Sequence, residues 1–216
     1  MEEKFQELKR LLARAADLYR AASVLEWDQE TMMPPGGIEA RADQFAALMG
    51  LYHDYSTRDE IGVLLEELES YAAALDYESD EASLIRFTKR EYERLRRIPT
   101  ELAEELARMQ TIAKDSWVKA RRADNFSLFE PDLTRMTDLQ IQRAECYEAQ
   151  ENIYDPLIDY YEPGMTHAQI DAVFSGLKPE LVKLVEAISE NLDAVDDSVL
   201  RRAYDVEKQW SFSVTT

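Results

Sequence analysis

The chain has 216 residues, 45% of them hydrophobic and 32% charged, a composition that indicates a globular protein and excludes a disordered one. Acidic residues number 44 and basic residues 25, so the net charge of −19 makes nucleic acids and anionic membranes poor partners. With only six glycines and seven prolines, turn signals are sparse, which favours long helices over many short strands.

The N-terminal part of the chain carries three predicted helices. Apolar residues recur at helical spacing over residues 3–25, and the sequence Pro-Pro-Gly-Gly at 34–37 ends this first helix. A second amphipathic helix follows the break. Thr57 and Glu60 have the spacing of a capping box, which predicts the start of a third helix.

The middle of the chain carries three more predicted helices. One covers about residues 80–97 and ends before a proline, and Thr100 is predicted to cap the long helix that follows. Ser127 and Glu130 form a second capping-box pattern, which leads into a helix predicted over roughly 131–151.

The C-terminal part begins with a predicted irregular segment, since residues 155–165 contain two prolines and a glycine. Thr166 and Gln169 are then predicted to cap another helix, and a short final segment carries Trp210 and Phe212. In total the pattern predicts about eight helices and no strand, without repeats or a linker long enough to divide domains. We therefore expect an all-α fold, with residues 1–216 forming a single helical body.

Candidate catalytic residues are scarce. The two histidines, His53 and His167, lie outside any HExxH pattern, so a structural role is favoured over zinc binding for each. The single cysteine, Cys146, excludes an intrachain disulfide, and its acidic neighbours raise a thiol pKa, which is unfavourable for a nucleophile. No GxSxG, P-loop or GxGxxG motif occurs, and no Glu-x-x-His pair supports a di-metal carboxylate site.

The N-terminal sequence MEEKFQELKR is charged and lacks the apolar core of a signal peptide. No window of the chain approaches 18 uninterrupted apolar residues, so no membrane-spanning helix is predicted. We therefore expect a cytoplasmic location.

Four stretches carry a resemblance to a known family. They are LEWDQETMMPPGGIEARADQFAAL at 25–48, WVKARRADNFSLFEPDL at 117–133, YDPLIDYYEPGMTHAQIDAVFSGL at 154–177 and YDVEKQW at 204–210. In this order and spacing they resemble the N-terminal portion of the carboxypeptidase Taq family of zinc metallocarboxypeptidases. The resemblance covers the chain from about residue 3 to 212.

The resemblance implies an all-helical fold with a deep groove and an enzyme that removes residues one at a time from peptide C-termini. In the family, zinc is held by an HExxH helix and a downstream glutamate, and the HExxH glutamate serves as general base. Family members are usually cytoplasmic and often homodimeric. No position of this sequence matches HExxH or the other catalytic motifs, so no catalytic or metal-binding residue is transferred.

The chain is accordingly expected to be the N-terminal lid or groove wall of a metallocarboxypeptidase, with no cofactor of its own and no activity alone. The polar run in residues 25–37 has two interpretations. Trp27, Asp28, Gln29 and Glu30 either face a substrate groove or the rest of the enzyme, or they form a helix end in which Trp27 packs inward while the carboxylates stay solvated.

The alternative to a groove wall is a stand-alone, truncated helical module that mediates interactions without catalysis. Either way, apolar surface is expected to be exposed, and such surface drives association. We therefore expect a homodimer or a higher association. A different enzyme class built from scattered carboxylates has no supporting constellation of residues.

Overall fold

The computed structural model describes residues 1–148 and 151–215. In these residues the chain forms nine α-helices, four short 3-10 helices and no β-strand, which confirms the predicted all-α fold class. The helices are α1 (Glu2–Thr31), α2 (Ile38–Ser56), α3 (Asp59–Ala74), α4 (Asp80–Leu95), α5 (Thr100–Ala123), α6 (Glu130–Glu145), α7 (Asp155–Tyr161), α8 (His167–Ser189) and α9 (Val206–Thr215).

The chain divides into two compact units, the first covering Met1–Leu157 and the second Ile158–Thr216. The boundary lies within α7, where the sequence contains no linker. The two units are therefore described separately.

The core of the first unit lies between α1, α3 and α4. The buried residues of each of these helices recur at the spacing of one helix face, with three, four or seven positions between neighbours. Fully burying one such aliphatic side chain stabilises the fold by about 1.5–3 kcal/mol. The cluster comprises Phe5, Leu8 and Leu11 of α1, Ile61, Leu65 and Leu68 of α3, and Ile85 and Tyr92 of α4.

Helix α2 packs against both α1 and α5. Gly50 of α2 is buried beneath α5, where a Cβ atom would lie 2.8 Å from Cγ of Glu104. Further along α2, Nδ1 of His53 lies 3.1 Å from Oγ1 of Thr100, and Nε2 lies 3.0 Å from the carbonyl oxygen of Leu95. Because His53 is buried and both ring nitrogens have partners, the structure agrees with its predicted structural role.

Three of the predicted helix caps are wrong, and in two of them the hydroxyl donates to another partner. Oγ1 of Thr57 donates to the carbonyl oxygen of His53 at 2.9 Å, and α3 begins without a side-chain cap. Oγ1 of Thr100 donates to Asp54 at 2.8 Å, and α5 likewise lacks a side-chain cap. Ser127 lies inside a 3-10 helix rather than before α6. Side-chain hydroxyls bond locally wherever geometry allows, so spacing alone does not identify a cap.

The helix predicted over 131–151 ends at Glu145, and residues 149–150 lie outside the described part of the chain. Cys146 therefore follows the helix instead of lying in its middle. The cysteine is half-buried, and its Sγ donates to the carbonyl oxygen of Gln142 at 3.3 Å.

The segment 155–165, predicted to be irregular, begins with the short helix α7. Pro156 is its second residue, a position in the first turn where the missing proline N–H leaves no bond unmade. The irregular part is confined to the residues after Tyr161. There Gly164 adopts a φ of +83°, a conformation that glycine reaches without strain.

The longest helix of the second unit is α8. The predicted capping box is confirmed, since Oγ1 of Thr166 accepts from the N–H of Gln169 and the Gln169 side chain accepts from the N–H of Thr166. None of the 23 residues of α8 is buried. Among the described residues, no helix combines the length and apolar character needed to cross a bilayer.

Candidate functional site

The polar run Trp27–Glu30 lies in the last turn of α1, which continues to Thr31. The backbone N–H groups of Met32 and Met33 both donate to the carbonyl oxygen of Asp28 at 2.8 Å, which closes the helix end. An extended Pro34 and a 3-10 turn at Pro35–Gly37 then lead directly into α2. The run therefore occupies a tight corner between two packed helices.

Asp28 is held by a buried arginine of α2. The Arg41 side chain is only 9% exposed, and one terminal nitrogen lies 2.5 Å from Oδ2 of Asp28. Its other terminal nitrogen donates to the carbonyl oxygen of Leu25, and Nε donates to Gln44 at 3.1 Å. All three guanidinium nitrogens thus have partners, and two of them tie α2 to the last turns of α1.

Glu30 pairs with a different helix. Its carboxylate lies 2.5 Å from Nζ of Lys114 in α5, and both side chains are nearly half exposed. An ion pair at such exposure contributes at most about 1 kcal/mol and is weakened by salt. It shows that this side of the last turn of α1 lies next to α5.

Trp27 has 62% of its surface exposed, so the interpretation in which it packs inward is wrong. The backbone carbonyl oxygen of Trp27 accepts a hydrogen bond from Oγ1 of Thr31 at 2.7 Å, and this bond within the helix does not involve the indole ring. A large aromatic side chain projecting from a rigid corner is an unusual use of a residue that is mostly buried in soluble proteins.

Gln29 is partly buried. Its Oε1 atom is shielded from solvent and has no hydrogen-bond partner within the described residues. A buried acceptor without a hydrogen bond lowers the free energy of unfolding by about 1–3 kcal/mol. The side-chain amide of Gln29 therefore destabilises the corner.

The four candidate residues do not converge on one point. Successive residues of a helix are about 100° apart, so Asp28 faces α2, Glu30 faces α5 and Trp27 faces solvent. Of the four, Trp27 is the most exposed.

Arg41 and Lys114 are the site residues that the sequence analysis missed. Arg41 interrupts an otherwise apolar face of α2, directly before the fully buried Ala42. A charged residue in that position indicates a buried ion pair, but Glu39, Asp43 and Glu30 all lie closer in the sequence than Asp28, so the sequence does not identify the partner. Lys114 carries no comparable signal, because exposed lysines are common on helices.

The described residues do not fit the zinc site that the family implies. No group of three or more His, Cys, Asp or Glu residues in the described ranges is arranged to hold a metal ion. Both ring nitrogens of His53 are already engaged, and His167 is exposed at the start of α8. Burial, with a smaller contribution from Glu145, raises the pKa of the Cys146 thiol, as the sequence predicted. A thiol with a raised pKa is a poor metal ligand and a poor nucleophile.

Comparisons of the sequence and of the fold with known proteins agree on one family. The family model described as "Carboxypeptidase Taq (M32) metallopeptidase" matches residues 7–216. "Thermostable carboxypeptidase 1" of Thermus thermophilus is 36% identical over 222 residues, which cover 99% of this chain and 44% of the relative. The solved structure named "BsuCP Crystal Structure" has a TM-score of 0.89 and 28% identity, covering 99% of this chain and 42% of that one. "Trypanosoma Cruzi Metallocarboxypeptidase 1" follows with a TM-score of 0.73 and 26% identity, covering 98% and 43%.

The chain spans less than half the length of the curated relatives it matches, with shares of 44%, 40% and 38%. Sequence and fold comparisons agree over nearly all of this chain, and they confirm the resemblance carried by the four quoted stretches. The chain belongs to the carboxypeptidase Taq (M32) metallopeptidase family.

Proposed function

We propose that residues 1–216 are the N-terminal lid and groove wall of a zinc-dependent carboxypeptidase that removes C-terminal residues from peptides. The observation that carries this proposal is the family match over residues 7–216 in a chain that covers 44% of its Thermus thermophilus relative. A metallopeptidase needs about three protein ligands for zinc, and both ring nitrogens of His53 already have partners. The proposed contribution of these residues is therefore to shape and close the peptide site.

The corner at the end of α1 supports a role in a groove wall. Arg41 holds the backbone of Leu25 and the carboxylate of Asp28, so the intervening turn is rigid. Trp27 projects from that turn, where its ring offers a broad apolar surface to peptide side chains. In this arrangement Trp27 makes the contact, while Asp28 and Arg41 act as positioning residues.

On this proposal the chain alone does not hydrolyse peptides. Without zinc there is no Lewis acid and no acidified water, and a helical wall supplies neither. A cytoplasmic location is part of the proposal, in keeping with the charged N-terminal sequence.

The test uses a chimera in which residues 1–216 replace the matched stretch of the Thermus thermophilus relative. Trp27→Ala should raise KM for an N-blocked dipeptide several-fold with little change in kcat. Phe87→Ala is the matched control, because Phe87 is also an exposed aromatic residue, at 65%, but lies on α4 and not on α1, α2 or α5, whose side chains meet at the corner. Equal kinetics for the two variants would remove Trp27 from the groove.

The second candidate is a stand-alone interaction module, and the exposed apolar side chains of α8 favour it. On this alternative the 216-residue chain forms a homodimer through that surface. Sedimentation equilibrium over a hundred-fold concentration range distinguishes the two. A concentration-independent monomer contradicts the homodimer, whereas a tight dimer that binds no M32 polypeptide favours the module.

A further inference from the structure

Helix α8 carries a continuous apolar stripe along one face. Its residues follow alternating steps of three and four, the spacing at which side chains of a helix interlock with a second helix. All five are roughly half exposed or more. The α8 stripe comprises Phe174, Leu177, Leu181, Leu184 and Ile188.

A helix of this kind is not stable by itself in water. Isolated helices are marginal even for favourable sequences, and most helical stability in proteins comes from burying an apolar face. Helix α8 buries none of its residues and contains Pro179, which removes one helical hydrogen bond. Its capping box fixes where the helix begins but covers no apolar surface. The α8 stripe therefore requires a covering partner.

Two properties distinguish between the candidate partners. A second copy of this chain also carries a net charge of −19, so two copies repel one another, most strongly at low salt. The M32 relatives, by contrast, contain a large further portion, since this chain covers only 42% of a solved structure that it matches with a TM-score of 0.89. That further portion is therefore the more favourable candidate to cover the stripe.

We propose that the α8 stripe is the docking surface for the portion of an M32 carboxypeptidase that lies outside the residues matched by this chain. This inference rests on the proposed function and specifies its partner. The stripe packs against an apolar helix face of that portion, and the contact is strong enough to form between two separate polypeptides. Helix α8 then becomes protected from solvent only when that portion is present.

The test is co-expression of the 216-residue chain with the unmatched portion of the Thermus thermophilus relative as a separate polypeptide. We expect a 1:1 complex in native mass spectrometry. Amide hydrogen exchange in α8 should slow by about 100-fold or more relative to the chain alone, because its hydrogen bonds become part of a buried, cooperative unit.

A matched pair of double variants identifies the surface. Leu177→Asp with Leu184→Asp places two charges on the stripe, seven residues apart. Ala168→Asp with Ser175→Asp places two charges at the same spacing, but on the far side of the helix, since Ser175 lies two residues before Leu177 and therefore about 200° around from it; neither residue lines the apolar surface around the stripe. The stripe variant should lose at least ten-fold in recovered complex, and the control variant should stay within two-fold of the unmodified chain.

Three results would overturn the proposal. One is equal recovery of the two double variants. Another is the absence of a complex when both polypeptides are soluble. The third is a chain that remains self-associated, with α8 protected, in the presence of the other portion, which assigns the stripe to a second copy.

If the separate portion is insoluble in every combination, the same double variants are compared in the covalent chimera. Docking then predicts a lower melting temperature and faster α8 exchange for the stripe variant alone, and equal values contradict it. Exchange and melting report docking, whereas peptide hydrolysis reports the groove. Loss of hydrolysis in a chimera with protected α8 therefore contradicts the proposed function without contradicting the docking.

Discussion

The carboxylate of Asp28 lies 2.5 Å from a terminal guanidinium nitrogen of Arg41, a side chain that is only 9% exposed. Thirteen residues separate the two in sequence, and the corner between α1 and α2 brings them together. The same guanidinium also bonds the carbonyl oxygen of Leu25. This ion pair therefore holds α1 and α2 together at the corner from which Trp27 projects.

Arg41→Ala should lower the free energy of unfolding by about 2 kcal/mol, because it leaves the Leu25 carbonyl and the Asp28 carboxylate without a shared donor. Urea unfolding followed by circular dichroism measures the change. Arg20→Ala is the control, since Arg20 pairs with Asp17 where both side chains are more than 70% exposed. A loss no larger than that of the control would show that the corner does not depend on Arg41.

Leu68→Ala should cost about 2–5 kcal/mol, because Leu68 is fully buried between α1, α3 and α4 and the substitution leaves a cavity. Val63→Ala on the same helix removes methyl groups from an exposed side chain and should change stability by less than about 0.5 kcal/mol. Similar losses for the two variants would place the core of the first unit elsewhere.

Gly62→Ala and Gly176→Ala should have opposite effects. A Cβ at Gly62 would lie 2.8 Å from Cζ of Tyr92, whose ring is buried in the core, so overpacking outweighs the gain in helix propensity. A Cβ at Gly176 meets nothing within 4 Å. Alanine at this position should therefore stabilise α8 by about 0.5–1 kcal/mol, the difference in helix propensity between alanine and glycine, and should increase its helicity. Thermal unfolding and the ellipticity at 222 nm report both changes, and a stabilised Gly62 variant would contradict the packing of α3 on α4.

Cys146 should react slowly with iodoacetamide. Burial, and secondarily Glu145, raises the pKa of its thiol above the ordinary value of 9.0, so less thiolate is present at pH 8 than in a free cysteine peptide. Because the thiol ionises at a lower pH in the unfolded chain than in the folded one, the free energy of unfolding depends on pH. The contribution of Cys146 to that free energy is fully present below pH 9.0 and is lost as pH rises through the higher pKa of the folded chain. Alkylation rates on the folded and urea-unfolded chain measure the difference. A folded chain that reacts faster would contradict a raised pKa.

Periodicity and helix breakers predicted most of the fold from the sequence. The apolar spacing of residues 3–25 and the prolines at 34–35 identified α1 and the corner that follows it. The wrong predictions included helix caps, and at Thr57 and Thr100 the side-chain hydroxyl makes a different hydrogen bond from the predicted one. The hydroxyl of Thr100 meets Asp54, a residue of another helix, and its sequence neighbours carry no sign of that contact.

The candidate site was predictable as a segment but not as an arrangement. The run from Trp27 to Glu30 stood out because four such residues at a helix end are not needed to stop a helix. Their directions depend on which helices lie alongside, and the pairing of Glu30 with Lys114 spans 84 residues of sequence. Arg41 was detectable in principle as the charged residue on an apolar face.

The most direct test of the groove-wall role is to measure zinc content and peptide hydrolysis for the 216-residue chain alone and for the chimera with the Thermus thermophilus relative. We predict that the chain alone binds no stoichiometric zinc and releases no C-terminal residue, whereas the chimera binds about one zinc per chain and hydrolyses an N-blocked dipeptide. A zinc-dependent turnover by the 216-residue chain alone, abolished by a chelator and restored by zinc, would contradict the assignment of these residues to the wall of the groove.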